Sequence, residues 1–209
     1  MIKKSIYPKT KRLQVTQKYV VTEKLDGSNL CIFKKDGLIY FAQRNNIFEA
    51  SELTKNNAYK GLIGWVQENL DVLQIELNEG SVICGEWIGM GKLTYPHLDK
   101  KFYMFAKANI TEDFDLKNIN YTHDFFIYPF VSKEIPEFIG VVPVVWVVDI
   151  KPSLLSLNTV YDAYTKDVED STGGMVEGFI LEHNNEIEKY VRMKNGTLEP
   201  HQENYKGGE

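Results

Sequence analysis

Glu23-Lys24-Leu25-Asp26-Gly27-Ser28-Asn29 stands between two strand-like runs, Tyr19-Val20-Val21 before it and Leu30-Cys31-Ile32-Phe33 after it. That placement puts a lysine at a strand end, facing a turn. An amine becomes a nucleophile only when uncharged, and leaving the free value of about 10.4 takes desolvation or neighbouring cations. Gly27 lets the backbone approach a ligand closely, and Asp26, Ser28 and Asn29 offer polar contacts in the same turn. Alone, Lys-x-Asp-Gly is a common tetrapeptide whose usual identity is a solvated turn, so its meaning depends on its company.

Outward from this turn the first half reads mainly as strands. Leu30 to Phe33 and Leu38 to Ala42 flank Lys35-Asp36-Gly37, a hairpin signal between β-branched and aromatic residues. From Asn57, available as a cap, Tyr59, Leu62, Ile63, Val66, Leu70 and Leu73 recur at helical spacing. Extended segments return at 81–88, 101–108 and 125–130, followed by an apolar stretch at 141–148. A second helix is expected over 158–168, where Thr159 precedes Asp162 in capping-box fashion and Val160, Tyr161, Tyr164 and Val168 share a face. Strands at 176–182 and 187–193 close the pattern. Strands that outnumber helices without regular alternation predict an α+β fold of mostly antiparallel sheets with flanking helices.

The chain of 209 residues, with 43% apolar and 25% charged residues, fits one full-sized soluble domain. The N-terminal residues carry positive charge without an apolar run behind them, and the run at 141–148 is too short to span a bilayer. A cytoplasmic protein without membrane contact is expected. Cys31 and Cys84 each lie in an apolar strand-like segment, where a reduced core thiol is usual, and four scattered histidines argue against a zinc site. A net charge of −5 weighs against a uniformly basic nucleic-acid surface, leaving local patches such as Lys34-Lys35 and Lys100-Lys101. The polar stretch from Asn195 to Glu209 reads as a tail, frayed or resting loosely on the domain.

Five further segments follow the lysine turn in order: Phe41-Ala42-Gln43-Arg44-Asn45-Asn46, Gly85-Glu86-Trp87-Ile88-Gly89, Phe102-Tyr103-Met104-Phe105, Glu177-Gly178-Phe179-Ile180 and Lys189-Tyr190-Val191-Arg192-Met193-Lys194. With Lys24-Leu25-Asp26-Gly27-Ser28-Asn29 they resemble the motif set of covalent nucleotidyltransferases, and most resemble the ATP-dependent, phage-type RNA ligase 2 branch. The resemblance runs from about Val20 to Lys194. It implies a nucleotidyltransferase (adenylation) domain over 1–194 with no separate accessory domain, and a role for a protein partner in place of that domain.

The resemblance also implies roles. Lys24 would carry AMP from ATP; Arg44 would engage phosphate, Glu86 the ribose, and Phe105 the base by stacking. Glu177 would help hold Mg²⁺ or Mn²⁺, and Arg192 with Lys194 would hold the α-phosphate. Glu23 and Asn29 complete the expected nucleotide contacts. The partner would be nucleic acid with 5′-phosphate and 3′-hydroxyl ends, RNA before DNA. Two departures stand out: Ala106 follows Phe105 where the family usually has aspartate, and Arg192 replaces a lysine. A GTP-dependent capping-type guanylyltransferase and a non-catalytic RNA-end-binding module are the alternatives.

On their own terms the residues suit these tasks. A guanidinium forks onto phosphate, and residues two apart on a strand, as Arg192 and Lys194 are read, share a face. Phe105 is hardest to tell from plain core, because aromatics in strands usually pack.

Overall fold

The computed structural model describes residues 18–43, 46–55, 58–110, 121–122, 135–183 and 186–201. Strand β1 (Tyr19–Lys24) leads through the lysine turn into β2 (Ser28–Lys35), β3 (Leu38–Ala42) and β4 (Ile47–Glu49), followed by a 3₁₀ helix (Ala50–Lys55) and α1 (Leu62–Glu76). Then come β5 (Ser81–Trp87), β6 (Phe102–Ile110), β7 (Tyr121–Thr122), β8 (Ile139–Val141), β9 (Val144–Val148), α2 (Leu154–Thr172), β10 (Gly178–His183), β11 (Glu186–Arg192) and β12 (Leu198–Pro200).

Among the described residues these strands form two sheets. One has the order β12-β11-β10-β1-β9; the other has β4-β3-β2-β5-β6-β7, with β8 also paired to β6. All pairings are antiparallel except β6 with β8. The α+β architecture expected from the sequence is therefore present. The hairpin at Lys35-Asp36-Gly37 closes through Asp36 and Gly37 at φ 52 and 75, the positive values that a tight two-residue turn demands.

Helix α1 seals the outer face of the larger sheet: Leu62, Trp65, Val66 and Leu73 are buried against Leu30, Ile32, Phe41, Trp87 and Phe102. Helix α2 does the same for the smaller sheet, where Leu157, Tyr161 and Val168 pack on Val21, Phe179, Leu181 and Tyr190. Non-polar burial on both helix faces drives this layering.

Several boundaries differ from the sequence reading. Helix α1 starts after Gly61, which sits at φ 83 without a side-chain cap; Asn57 lies outside the described residues. Helix α2 starts four residues before the expected Asn158, because Ser153 is the cap and accepts from the Ser156 amide at 3.1 Å. Thr159 is inside the helix, its hydroxyl donating to the Leu155 carbonyl at 3.0 Å. The apolar stretch at 141–148 is two strands in different sheets. Pro143 has no amide hydrogen for a ladder, and its carbonyl accepts from Glu23 N at 2.9 Å as the chain crosses over. Residues 198–200, expected in a loose tail, form β12 with Leu198 fully buried. The extended segment expected at 125–130 lies outside the described residues.

Cys31 and Cys84 are free and buried, as expected, and face each other across β2 and β5 with sulfurs 3.0 Å apart. No helix among the described residues is long and apolar enough to cross a membrane.

Candidate active site

The chain crosses between the sheets at Leu25-Asp26-Gly27 and again at Val142-Pro143, and a cavity of about 420 Å³ opens between these crossings. Its lining draws on both sheets: Thr22, Glu23, Lys24, Ile180, Ile187 and Lys189 from the smaller, Asn29, Glu86 and Phe105 from the larger, with Leu25 and Val142 at the crossings.

Lys24 ends β1 opposite Gly178, and its Nζ donates to Glu177 Oε1. Both side chains keep partial access to solvent, at 22% and 28%. The second oxygen of Glu177 is buried and has no hydrogen-bond partner among the described residues. The strands approach closely here because Gly178 lacks a Cβ, which would lie 2.0 Å from the Tyr190 carbonyl.

Glu86 faces Asn29 across β2 and β5. Burial pushes its carboxyl up to about 7, opposed by the Lys24 cation and by a hydrogen bond from the Gly27 amide. Gly27 permits that contact: a Cβ there would lie 2.4 Å from the Trp87 carbonyl and 2.9 Å from Glu86 Cγ. Phe105 reaches the cavity through an irregularity in the β5–β6 register, where Cys84 pairs with Ala106 and Gly85 with Met104. The extra residue re-aims a side chain that strict alternation would direct otherwise.

Other expected residues are placed differently. The Glu23 side chain is fully buried; its carboxylate accepts from Tyr164 OH at 2.7 Å and lies 3.0 Å from His97 Nε2. Burial still pushes its carboxyl above the ordinary range, because desolvation outweighs these partners. Only the rest of Glu23 is left to line the cavity, since successive strand residues face opposite ways and Lys24 takes the cavity side.

Arg192 shares the face of Tyr190, which packs beneath α2, and it lines a separate depression with Asn158 and Asp162. Lys194 lies past the end of β11 in a turn closed by Met193 N to Thr197 O at 2.8 Å, and is exposed. The expectation that these two cations share a strand face in the site is therefore corrected: the strand stops at Arg192, and its face is the helix side. Arg44 lies outside the described residues.

The structure gives Asp26 its partners and adds residues that the sequence reading missed. Asp26 Oδ2 accepts from the amides of Lys92 and Leu93 at 2.6 and 3.0 Å, and the Asp26 amide donates to Tyr95 OH. The lysine turn thus anchors the loop after β5, and His97 from that loop supports Glu23. Nothing local in Tyr95-Pro96-His97 signals these long-range contacts. Lys189 also lines the cavity, on the strand face opposite Tyr190.

RNA ligase R4a of Naegleria gruberi, solved as an apo lysine-to-alanine variant, matches with TM-score 0.52 and 18% identity over 84% of this chain and 50% of that one. A Naegleria gruberi RNA ligase variant with ATP and Mn gives TM-score 0.49 and 19% identity over the same shares. The chain thus spans about half the length of these solved relatives. Among curated proteins none matches. The family model described as RNA ligase matches residues 17–195, nearly the whole sequence. The chain belongs to the RNA ligase family.

Proposed function

We propose that this domain attaches AMP to its own Lys24 and passes it to a nucleic-acid 5′-phosphate, RNA before DNA, for joining to a 3′-hydroxyl. The observation that carries this reading is the convergence of the Lys24 amine, the Glu86 carboxylate and the Phe105 ring on one cavity, with Glu177 paired to that amine.

In the first step the Lys24 amine, having lost a proton, attacks the α-phosphorus of ATP. A nitrogen–phosphorus bond forms, the bond to the bridging oxygen breaks, and pyrophosphate leaves. Glu177 holds the amine at the mouth through the Lys24 contact. Glu86 and Asn29, side by side across two strands, suit the ribose hydroxyls, and Phe105 supplies a stacking face. Lys194 lies two residues beyond Arg192, whose amide donates to the Glu177 carbonyl at 2.9 Å, and on this reading would approach the phosphate from outside the cavity lining. It suits the phosphoryl oxygens better than Arg192, whose side chain faces α2.

A divalent cation fits this arrangement. Glu177 has one buried oxygen open, while no group of three protein ligands gathers among the described residues. Mg²⁺ or Mn²⁺ held there would take its other ligands from phosphate and water, and would offset charge on the departing pyrophosphate. In the second step a 5′-phosphate oxygen attacks the phosphorus of Lys24-linked AMP and the lysine leaves; in the third a 3′-hydroxyl displaces AMP.

Intact mass after incubation with ATP and Mg²⁺ tests the first step: an added AMP is expected in the parent and absent in Lys24→Ala. Labelling by GTP alone would turn the reading to a capping-type guanylyltransferase. No adduct with either, in folded protein stripped of prior AMP, would leave an RNA-end-binding module.

A further inference from the structure

We propose that Lys189 reads the edge of the nucleobase in this cavity, an inference that rests on the nucleotide-binding part of the reading above. The cavity lining is of two chemical kinds. Lys24, Asn29 and Glu86 are polar, whereas Phe105, Ile180 and Ile187 offer apolar surface suited to a flat ring, and the strand register separates Lys24 from Ile180 by two residues. Side chains alternate along β11, and Tyr190 packs beneath α2, so Ile187 and Lys189 face the cavity together.

The register fixes where Lys189 stands along the site. Thr22, Ile180 and Lys189 form one rank across β1, β10 and β11, two residues back from the rank of Lys24 and Gly178. Two residues of strand are roughly 6–7 Å, so the rank lies on the base side of a nucleotide whose α-phosphate is at Lys24. Its neighbours point the same way: Lys189 pairs with the apolar Ile180 and stands two residues from Ile187, both of which line the cavity.

Among the described residues the Lys189 ammonium makes no hydrogen bond or ion pair, whereas Lys24 is paired with Glu177. An ammonium has three donors and no acceptor. The groups on a purine that accept are its unprotonated ring nitrogens and, in guanine, O6. The aliphatic stem of Lys189 meanwhile extends the wall that Ile187 begins.

Equilibrium binding tests this apart from covalent chemistry, using an ATP analogue with a methylene bridge between the α and β phosphates. Lys189→Met keeps the stem and removes the donors; its Kd is expected to rise about tenfold with no change in thermal stability, and Lys189→Arg should recover part of the loss. Binding of 1-deaza, 3-deaza and 7-deaza forms then locates the contact. The parent should lose about tenfold for one of them, and Lys189→Met should lose nothing more for that same one.

An unchanged Kd in Lys189→Met overturns the proposal, as does a loss that grows from AMP to ATP while ignoring every deaza replacement, which would make Lys189 a phosphate contact. Base-dependent binding without any AMP adduct would keep the proposal and sink the transfer reading. A parent that binds no nucleotide would sink both.

Discussion

Glu86 is the residue where competing electrostatic effects can be weighed most directly. Burial raises its carboxyl to about 7, and the nearby Lys24 cation only partly offsets that. Because the folded value exceeds the ordinary 4.5, the folded protein holds more protons than the unfolded chain between those two values. The associated stability is complete below the lower value and is lost as pH rises through the upper one. Glu86→Gln should therefore flatten the difference in unfolding free energy between pH 5 and pH 8 by about 1–2 kcal/mol, after allowance for partial solvent screening. Calorimetric scans of parent and variant at the two pH values check this, and identical pH responses would show that burial does not control the group. Gly27→Ala belongs to the same scale: the added carbon would press on Trp87 and Glu86, and a loss of about 1–3 kcal/mol is expected in urea titrations. At this scale sequence order singled out Lys24, Glu86 and Phe105, which line the cavity, and Glu177, which pairs with Lys24; all but Phe105 lie at or near a strand end. It could not place Arg192 and Lys194, whose facing depends on where β11 stops, nor Glu23, whose partners His97 and Tyr164 lie 74 and 141 residues away.

Periodicity located both helices and most strands, because each buries an apolar face against a sheet; ends and crossings were less legible. Ser153 caps α2 from outside its apolar pattern, and Pro143 moves one apolar run between sheets without changing its composition. The irregularity that turns Phe105 into the cavity is equally silent, since it depends on pairing with β5. Helix α2 does more than cover its sheet: Tyr164 donates to the buried carboxylate of Glu23, next to Lys24. Tyr164→Phe removes that donor while leaving the ring against Phe179, and a destabilisation of about 1–3 kcal/mol is expected from the poorly satisfied carboxylate. Ser153→Ala, at the far end of the same helix, should cost about 1 kcal/mol through the lost cap. If the helix acts on the site through Tyr164 alone, only Tyr164→Phe will also slow the proposed AMP transfer to Lys24. Equal slowing in both variants would mean that helix stability as a whole governs the site.

The two sheets bury separate cores, one beneath α1 and one beneath α2, and between the crossings they face each other across the cavity. A nucleotide seated there would touch strands of both, so its binding energy should couple them. With ligand at a hundred times Kd, linkage contributes about 2.7 kcal/mol to the folded state. For a chain of this size that corresponds to a rise in Tm of roughly 5–10 °C. The methylene-bridged analogue is the right probe, because no adduct forms and stabilisation reports binding alone. Each half can be followed separately: Trp65 and Trp87 lie in the core with α1, and Trp146 packs against the core with α2. Replacing Trp146 with Phe, or Trp65 and Trp87 with Phe, leaves fluorescence from one half at a time. If the cavity joins the halves, both reporters should move to the higher temperature together when the analogue is added. A shift confined to the Trp65 and Trp87 signal would mean that the nucleotide rests on the larger sheet alone, and that Lys24 meets it only after a closing movement.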